Sequence, residues 1–295
     1  MRGHVPSYEL RRAADLPGAL AALAADPELV PFAGGTDLMV ELEAGVLPRG
    51  RFLDIRSLDV LRGVELDGDA FRIGALSTYS DVREDPRLGA ELPNLVRAAR
   101  LSGALAIQNR GTIGGNIVNA SPAADTPPAL LAYGAEVELQ SAAALRRVAY
   151  EHFHTGYKLH ALRPDELLRA VCLPRPAPGT RHFYRKVGTR AAQAISKVTL
   201  AAAAELDGER IAACRIGLGS VAPTVVRARG TEAVLVGAAL DDPELERRAR
   251  EAVVAEIAPI DDDRSTAAYR RGVSANLVGA LLRGLRAGEL PRTER

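Results

Sequence analysis

The chain has 295 residues, 47% of them hydrophobic, and its 38 basic side chains balance 37 acidic ones to leave a net charge of +1. This balance argues against a nucleic acid or an anionic membrane surface as partner, and no apolar run is long enough to span a bilayer. We therefore expect a soluble protein of two or three structural units without membrane insertion. The N-terminus lacks the apolar core of a signal peptide and so predicts a cytoplasmic location.

The rarest residue types restrict the chemistry further. Cys172 and Cys214 are the only cysteines and lie far apart, so this chain alone cannot hold a cysteine-ligated iron–sulfur cluster or zinc ion. A redox carrier here would have to be organic. Lysine occurs only at Lys158, Lys186 and Lys197, and arginine supplies the rest of the positive charge. Each lysine is either a position where arginine would not serve or a solvated position where lysine persists by chance.

The N-terminal part predicts a helix over residues 17–25, preceded by Asp15, and a strand over residues 29–33. This strand leads into a first glycine run, Phe32-Ala33-Gly34-Gly35-Thr36-Asp37-Leu38. Paired glycines reach backbone conformations closed to other residues and can bring N–H groups close to an anion. The run is therefore typical of a phosphate-binding loop, although a tight turn without a ligand has the same composition.

The next segment predicts a hairpin over residues 64–75, because Asp67-Gly68 separates two alternating apolar runs, and a helix over residues 92–101. A second glycine run follows, Thr112-Ile-Gly-Gly-Asn-Ile-Val-Asn119. Two phosphate-binding loops suit a diphosphate, and their pairing favours this interpretation over two ligand-free turns.

Asp125 follows the second glycine run, ahead of a predicted short helix over residues 126–131 and a strand over residues 135–139. Its carboxylate accepts hydrogen bonds only, so it could hold ribose or ribityl hydroxyls. It could also cap the helix that begins at Thr126, and the two roles are compatible.

Residues 174–179, rich in proline and glycine, are the best linker candidate, and we divide the chain there. A second hairpin is predicted around Asp207-Gly208, from residues 195–206 and 211–217. Helices are predicted over residues 231–235, 243–256 and 265–285, with Ser265 as N-cap of the last.

Two other motifs suggest a ligand site, but the residues around each of them argue against it. The run Gly217-Leu-Gly219-Ser-Val-Ala222 matches a dinucleotide-binding fingerprint, but Pro223 and the β-branched residues after it predict extended chain instead of the required helix. His152 and His154 would share one face of a strand as half of a metal site, but no third ligand lies at a supporting spacing. We therefore expect no metal site, and no Walker-type phosphate loop is present.

The two glycine runs, together with Ala120-Ser-Pro-Ala-Ala-Asp125, resemble the FAD-binding medium subunit of the molybdenum hydroxylases, the group of xanthine dehydrogenase and aerobic carbon monoxide dehydrogenase. The resemblance covers nearly the whole chain. It continues in the segments Gly156-Tyr-Lys-Leu-His-Ala-Leu162, Tyr184-Arg-Lys-Val-Gly-Thr-Arg190, Ile195-Ser-Lys-Val198, Leu218-Gly-Ser-Val-Ala-Pro223 and Ile260-Asp-Asp-Asp-Arg-Ser-Thr266.

This resemblance implies an α+β chain with a two-part FAD-binding domain of the vanillyl-alcohol-oxidase (PCMH) type and a smaller α/β C-terminal domain. The implied boundaries are residues 1–175, with subdomains of about 1–57 and 58–175, and residues 180–288. It also implies non-covalent FAD, held by Phe32, Ala33, Gly34, Gly35, Thr36, Asp37, Leu38, Thr112, Gly115, Asn116, Val118, Ala124, Asp125, Leu162 and Lys186. Asp125 would bind sugar or ribityl hydroxyls, Leu162 would contact the adenine or the ring region, and Lys186 would lie near the flavin.

In such enzymes a molybdopterin large subunit oxidises the substrate, and 2Fe-2S clusters on a small subunit pass electrons to FAD and then to a soluble acceptor. The resemblance implies that this chain is the last station, an oxidoreductase component without catalytic residues of its own and inactive toward substrate alone. A free-standing FAD oxidoreductase and a non-redox FAD- or nucleotide-binding regulatory module remain alternatives. The chain has Arg190 where some relatives place an aromatic residue against the flavin, and it lacks the cysteine-rich insertion of the benzoyl-CoA type reductases.

Overall fold

Three bodies of secondary structure follow one another along the chain in the computed structural model, which describes residues 8–47, 50–190 and 193–288. Each has its own cluster of buried apolar side chains. Within the described part, no helix combines the length and the apolar character needed to cross a bilayer.

The first body is a small parallel sheet with helices in its connections. Its elements are β1 (Glu9–Arg12), α1 (Leu16–Ala25), β2 (Val30–Phe32), α2 (Leu38–Glu43) and β3 (Arg51–Asp54), and the strand order is β1-β3-β2. The prediction of α1 is confirmed, including Asp15 as N-cap, which accepts a hydrogen bond from the Gly18 N–H at 2.7 Å. Because all three strands are parallel, their carboxyl ends meet at one edge of the sheet.

The second body is built around a five-stranded antiparallel sheet and a separate two-stranded hairpin. The sheet has the order β4-β5-β10-β6-β7 and the hairpin pairs β8 with β9. The strands are β4 (Val64–Asp67), β5 (Ala70–Gly74), β6 (Glu136–Gln140), β7 (Leu145–Ala149), β8 (His154–Gly156), β9 (Leu159–His160) and β10 (Leu167–Pro174). The hairpin predicted around Asp67-Gly68 is confirmed as β4 and β5.

Helices cover one side of this sheet, and side chains from both form the largest buried cluster. They are α3 (Tyr79–Glu84), α4 (Pro86–Glu91), α5 (Pro93–Leu101), α6 (Leu105–Gln108), α7 (Ile113–Asn119) and α8 (Pro127–Ala132). The predictions of α5, α8 and strand β6 are confirmed within one or two residues, whereas α7 occupies the second glycine run, where the sequence predicts a loop.

The third body packs three helices on an antiparallel sheet of order β11-β12-β13-β14. Its elements are β11 (Arg181–Val187), β12 (Val198–Asp207), β13 (Arg210–Gly219), β14 (Val226–Arg227), α9 (Arg229–Leu235), α10 (Leu245–Glu256) and α11 (Ala267–Arg286). The hairpin around Asp207-Gly208 and all three helices are confirmed.

Ser265 as N-cap of the last helix is wrong. Thr266 is the cap and accepts a hydrogen bond from the Tyr269 N–H at 3.2 Å. The Ser265 backbone is instead paired with Asp262 in the preceding turn, which shifts the start of α11 by one residue.

Helix α8 joins the second and third bodies. A Cβ at Gly217 of β13 would lie 2.2 Å from the Pro128 carbonyl oxygen, so the strand approaches the helix as closely as its backbone allows. The Tyr133 hydroxyl, just after α8, lies 3.1 Å from Nδ1 of His182 on β11. Because of this close packing, β11 lies against the second body, and its Lys186 contacts Asp125 there.

Candidate functional site

A cleft separates the parallel sheet from the second body, at the edge where the carboxyl ends of β1, β2 and β3 meet. Its volume is about 450 Å³, within the range of about 300–1,000 Å³ typical of small-molecule sites. Residues of the first body line one wall and residues around the second glycine run line the other: Arg12, Ala33, Gly34, Asp54, Arg56, Ser57, Arg62, Leu76, Thr78, Asn109, Arg110 and Thr112.

The first glycine run forms the turn between β2 and α2. Gly35 has φ +75°, in the left-handed region that side-chain-bearing residues avoid, and a Cβ there would lie 2.7 Å from the Phe32 ring. Gly34 has no room for a Cβ either, since it would lie 2.0 Å from the Arg110 carbonyl oxygen. Each glycine is therefore required by geometry, one for its backbone conformation and one for a close approach.

The N–H groups of this run have few partners within the protein. Met39 donates to the Gly35 carbonyl at 2.9 Å, but no described residue accepts a hydrogen bond from the N–H of Gly34, Gly35, Thr36 or Leu38. Successive N–H groups around a left-handed residue form the kind of concavity that binds phosphate oxygens. The first run thus has the donors that a phosphate needs.

The second glycine run is different: its glycines lie in the first turn of α7 and have no positive φ. Thr112 caps this helix by accepting from the Gly115 N–H at 3.1 Å. The N–H groups of Ile113 and Gly114 donate to the carbonyls of Ser77 and Ala75, both at 2.9 Å. The prediction that this run is a loop is therefore wrong, because it begins a helix whose first two N–H groups donate to the turn after β5, and its role toward a phosphate stays a prediction.

Gly114 and Gly115 have separate reasons to be glycine. A Cβ at Gly114 would lie 2.6 Å from Cβ of Ala75, so Gly114 lets α7 pack directly on the turn after β5. Gly115 is exposed, and a Cβ there would meet only the Thr112 hydroxyl, at 2.9 Å. The packing of α7 on the turn after β5 therefore explains why residue 114 is glycine. Gly115 is exposed, so a ligand can approach its backbone.

The two runs nevertheless lie against each other. The Gly34 backbone contacts Arg110 and Gly111, and the Asp37 side chain accepts a hydrogen bond from Asn119 at the end of α7. Partial burial raises the pKa of Asp37, although Lys158 lowers it. Of the predicted cofactor residues, Ala33, Gly34 and Thr112 line the cleft, and the role of the others in binding stays a prediction.

Positive charge dominates the cleft, which has four arginines and one carboxylate, Asp54. Arg56 binds Asp54 through two hydrogen bonds of 2.9 and 2.7 Å and lies 5.3 Å from the Phe32 ring centroid. The hydrogen bond from Arg56 lowers the pKa of Asp54 to about 2, so this carboxylate stays charged. The excess of guanidinium groups gives the cleft the electrostatics of an anion site.

Asp125 and Lys186 lie together on the second and third bodies as a buried ion pair. Lys186 Nζ donates to Asp125 Oδ2 at 2.6 Å and to the Leu101 carbonyl at 3.0 Å, and the Ser196 hydroxyl donates to Asp125 Oδ1 at 2.7 Å. Burial raises the pKa of Asp125, although Lys186, Ser196 and Ser102 lower it.

Asp125 does not cap α8. The Asp125 carboxylate is turned toward Lys186, and the N-cap is Thr126, which makes no side-chain cap bond. The Thr126 hydroxyl instead donates to Asn116 Oδ1, which connects the ion pair to α7 and the cleft.

The remaining residues predicted to bind the cofactor, Val118, Ala124 and Leu162, do not line the cleft. Val118 and Leu162 are half-buried against the main apolar cluster, and Ala124 is buried within the turn before Asp125. Leu162 follows the β8–β9 hairpin, which is held to α7 by a 2.8 Å contact between His154 Nε2 and the Ile117 carbonyl. These side chains contribute apolar surface behind the second run.

Several cleft residues escape the sequence analysis. Arg56 and Arg110 carry no motif, and the only signal for Lys158 is the rarity of lysine. Lys158 Nζ lies 3.1 Å from Glu41 of α2, which places the lysine beside the first run. Tyr79 is buried against Gly111, and burial, together with Asp125 and Asp37, raises its pKa.

The two motifs with unfavourable contexts stay outside the site. After Gly219 the chain turns, with Ser220 at φ +65°, and continues as β14 without the helix that a dinucleotide fingerprint requires. His152 is exposed, and His154 contacts the Ile117 carbonyl. Among the residues that the structure describes, no three His, Cys, Asp or Glu side chains are grouped to hold a metal ion.

The donor set fits a flavin dinucleotide. N–H groups without acceptors and an excess of arginines suit a diphosphate. The buried Asp125–Lys186 pair has an acceptor and a cation, groups suited to hydroxyl groups and to an electron-rich ring.

Two family models match the chain in succession. The model described as the FAD binding domain in molybdopterin dehydrogenase matches residues 6–176, and the model described as the CO dehydrogenase flavoprotein C-terminal domain matches residues 182–285.

Individual relatives are similar over nearly the whole chain. The xanthine dehydrogenase FAD-binding subunit of Escherichia coli O157:H7 is 34% identical over 264 residues, which cover 88% of this chain and 89% of the relative. The carbon monoxide dehydrogenase medium chain of Afipia carboxidovorans is 31% identical over 284 residues, which cover 94% of each. A chain of carbon monoxide dehydrogenase from Hydrogenophaga pseudoflava, solved in a form that lacks the Mo-pyranopterin moiety of the molybdenum cofactor, superposes with a TM-score of 0.92 at 29% identity. The superposition covers 97% of this chain and 99% of that chain.

Proposed function

The chain belongs to the family of FAD-binding medium subunits of the molybdenum hydroxylases, and on that premise we propose that it holds one non-covalent FAD in the cleft between its first two bodies. The predicted family, two-part fold and FAD-linked oxidoreductase class are confirmed by these matches. The observation that supports the place of FAD is the run of N–H groups that have no acceptor among the described residues, beside a cleft rich in arginine.

We propose the following roles for the chain's own residues. The first glycine run binds the diphosphate through the N–H groups of Gly34, Gly35 and Thr36, and the Gly115 backbone gives close approach from the opposite side. Asp125 orients hydroxyl groups of the cofactor chain, and Lys186 supports negative charge near the ring system. When bound, FAD supplies a carrier that exchanges electrons singly or in pairs.

We propose two partner subunits, an iron–sulfur small subunit with 2Fe-2S clusters that delivers electrons and a molybdopterin large subunit that oxidises the substrate, with a soluble acceptor receiving the electrons. The isolated Cys172 and Cys214 support this division, because burial raises the pKa of both thiols and disfavours the thiolates that ligate iron. Without partners the chain would be inactive toward the holoenzyme's substrate.

Exposed apolar side chains beside the first run support a docking surface there. Met39 and Val40 on α2, and Tyr157 and Leu159 on the β8–β9 hairpin, are each more than half exposed. The ion pair between Lys158 and Glu41 joins the two elements. Apolar surface with few charges is typical of the centre of a protein interface.

The domain boundaries and the location complete the proposal. We divide the chain into residues 1–175, with subdomains of about 1–57 and 58–175, and residues 180–288, because the segment between β10 and β11 is the proline-rich linker. A cytoplasmic location rests on the sequence composition alone.

A reduction experiment tests the relay. The FAD-loaded chain is mixed under anaerobic conditions with small subunit that has been reduced with dithionite and freed of reductant. We expect the flavin absorbance to bleach, with no bleaching by oxidised small subunit. Persistence of oxidised flavin in the presence of reduced clusters would contradict the relay and favour the non-redox module.

The alternative of a free-standing oxidoreductase makes a different prediction. It requires the isolated chain to reduce its flavin directly with the holoenzyme's substrate. Bleaching by that substrate in the absence of both partner subunits would therefore overturn the proposed role.

A further inference from the structure

The four arginines of the cleft differ in how the protein balances their charge. Arg56 is bound to Asp54 through both carboxylate oxygens, and Arg12 lies 3.9 Å from the same carboxylate. Arg62 donates to the carbonyls of Leu76 and Arg56, at 2.9 and 2.8 Å. Each of these three therefore already has a partner within the protein.

Arg110 is the exception. Its side chain is exposed, and no carboxylate or carbonyl of the described residues accepts a hydrogen bond from it. Its backbone is fixed, however, because the Arg110 carbonyl packs directly against Gly34, in the space that a Cβ at Gly34 would fill. The guanidinium group is thus tethered next to the N–H groups of the first glycine run and is available to a ligand.

The need for such a group follows from charge. Backbone N–H groups offer dipoles to a diphosphate but no net positive charge, and Asp54 offsets part of the charge of Arg56 and Arg12. A guanidinium group binds phosphate oxygens through paired, charge-assisted hydrogen bonds. Among the described residues, Arg110 is the cleft arginine with neither an ion pair nor a side-chain hydrogen bond, so its five donors are open to a ligand.

We infer that Arg110 is a diphosphate-binding residue, placed beside the first glycine run at the wall of the cleft. The inference rests on the proposed function, since it takes FAD as the ligand. It predicts that affinity for ligands with a diphosphate depends on Arg110, whereas affinity for flavins without phosphate does not.

The test measures dissociation constants of the full-length apoprotein for FAD, ADP and riboflavin, by calorimetry or flavin fluorescence. For Arg110→Gln we expect FAD and ADP to bind about 10- to 100-fold more weakly, the range of a hydrogen bond to a charged group, with riboflavin unchanged. The affinity for FAD should also depend less on salt concentration in this variant. Arg110→Lys should recover part of the loss.

Arg181→Gln is the matched control, because it removes the same charge at an exposed arginine of β11 that does not line the cleft. We expect it to weaken FAD less than threefold. Equal losses in the two variants would indicate a general field effect and overturn the role of Arg110. Unchanged FAD affinity in Arg110→Gln would overturn this inference alone, whereas a wild-type apoprotein that binds neither FAD nor ADP would overturn the proposed function as well.

Discussion

The two glycine runs have nearly the same composition, yet their backbones leave different groups for a ligand. In the first run Gly35 has φ +75° and successive N–H groups lack acceptors within the described chain. In the second run the glycines are helical, and Ser77, Ala75 and Thr112 accept the first N–H groups of α7. One run is shaped to bind, while the other is shaped mainly to let a helix pack closely on its neighbours. Variants at the glycines and at Lys186 separate these roles, and we expect the largest effect on FAD affinity at Gly35.

Gly35→Val should have the largest effect. The left-handed conformation costs a side-chain-bearing residue about 1–2 kcal/mol, and the new side chain would meet the Phe32 ring. Relaxation of either contact moves the N–H groups of the first run, so we expect FAD to be lost during gel filtration.

The matched control for that variant is Gly179→Val. Gly179 has φ +86° and open space around it in the linker, so the backbone cost is similar but the cleft is untouched. Equal FAD content in the two variants would contradict a binding role for the first run.

Gly115→Val should weaken FAD by at least about tenfold. The protein itself accommodates a side chain there, since only the movable Thr112 hydroxyl lies within 3 Å of the new Cβ. We expect the free energy of unfolding of the apoprotein to fall by no more than about 2 kcal/mol, the scale of a disturbed helix cap at Thr112, because valine has a better helix propensity than glycine. Affinity measured by calorimetry that equals the wild-type value would show that FAD does not approach Gly115.

In contrast to Gly115→Val, Gly114→Ala should lower the free energy of unfolding more than it lowers the affinity for FAD. The added methyl group meets Ala75 Cβ at 2.6 Å and its carbonyl oxygen at 2.7 Å. Overpacking of this kind costs about 1–3 kcal/mol, measurable by urea unfolding of the apoprotein. FAD affinity of the folded fraction should change less than threefold, and a specific loss of affinity at full stability would reverse the assignment of the two glycines.

Lys186→Met should leave FAD affinity least affected and should lower the reduction potential of the bound flavin. The variant leaves Asp125 buried without its ammonium partner, which raises the carboxyl pKa further. Because the folded state then binds a proton that the unfolded state at the same pH does not, the stability lost at neutral pH returns as the pH falls toward the ordinary carboxyl range.

Lys197→Met, which removes a lysine from the Tyr269 ring 5.2 Å away, is the control for the reduction potential. Equal potentials in wild type and Lys186→Met would make Lys186 purely structural.

Local patterns explain which parts of the molecule the sequence could predict. The hairpins at Asp67-Gly68 and Asp207-Gly208 depend on two residues each, and α1 on Asp15, so short-range chemistry determines them. Helix α7 depends on long-range acceptors at Ala75 and Ser77, which no local pattern reveals.

The residues of the candidate site likewise divide into those that a local motif predicts and those that only the fold brings together. Motifs predict its glycines, whereas Arg56 and Arg110 enter the cleft, and Lys158 comes beside the first run, from separate turns that only the tertiary structure brings together. The ion pair of Asp125 and Lys186 spans 61 positions of sequence, and it could be anticipated only as two separate residues.

The most direct test of the different roles is the amide spectrum of the apoprotein titrated with FAD, recorded by nitrogen–proton correlation NMR on deuterated protein. We predict large downfield proton shifts for Gly34, Gly35 and Thr36, whose N–H groups would gain phosphate acceptors. The amides of Ile113 and Gly114, which already donate to Ser77 and Ala75, should keep their hydrogen-bonded shifts. Unchanged amides in the first run, together with large downfield shifts at Ile113 and Gly114, would contradict the assignment of the diphosphate to the first run.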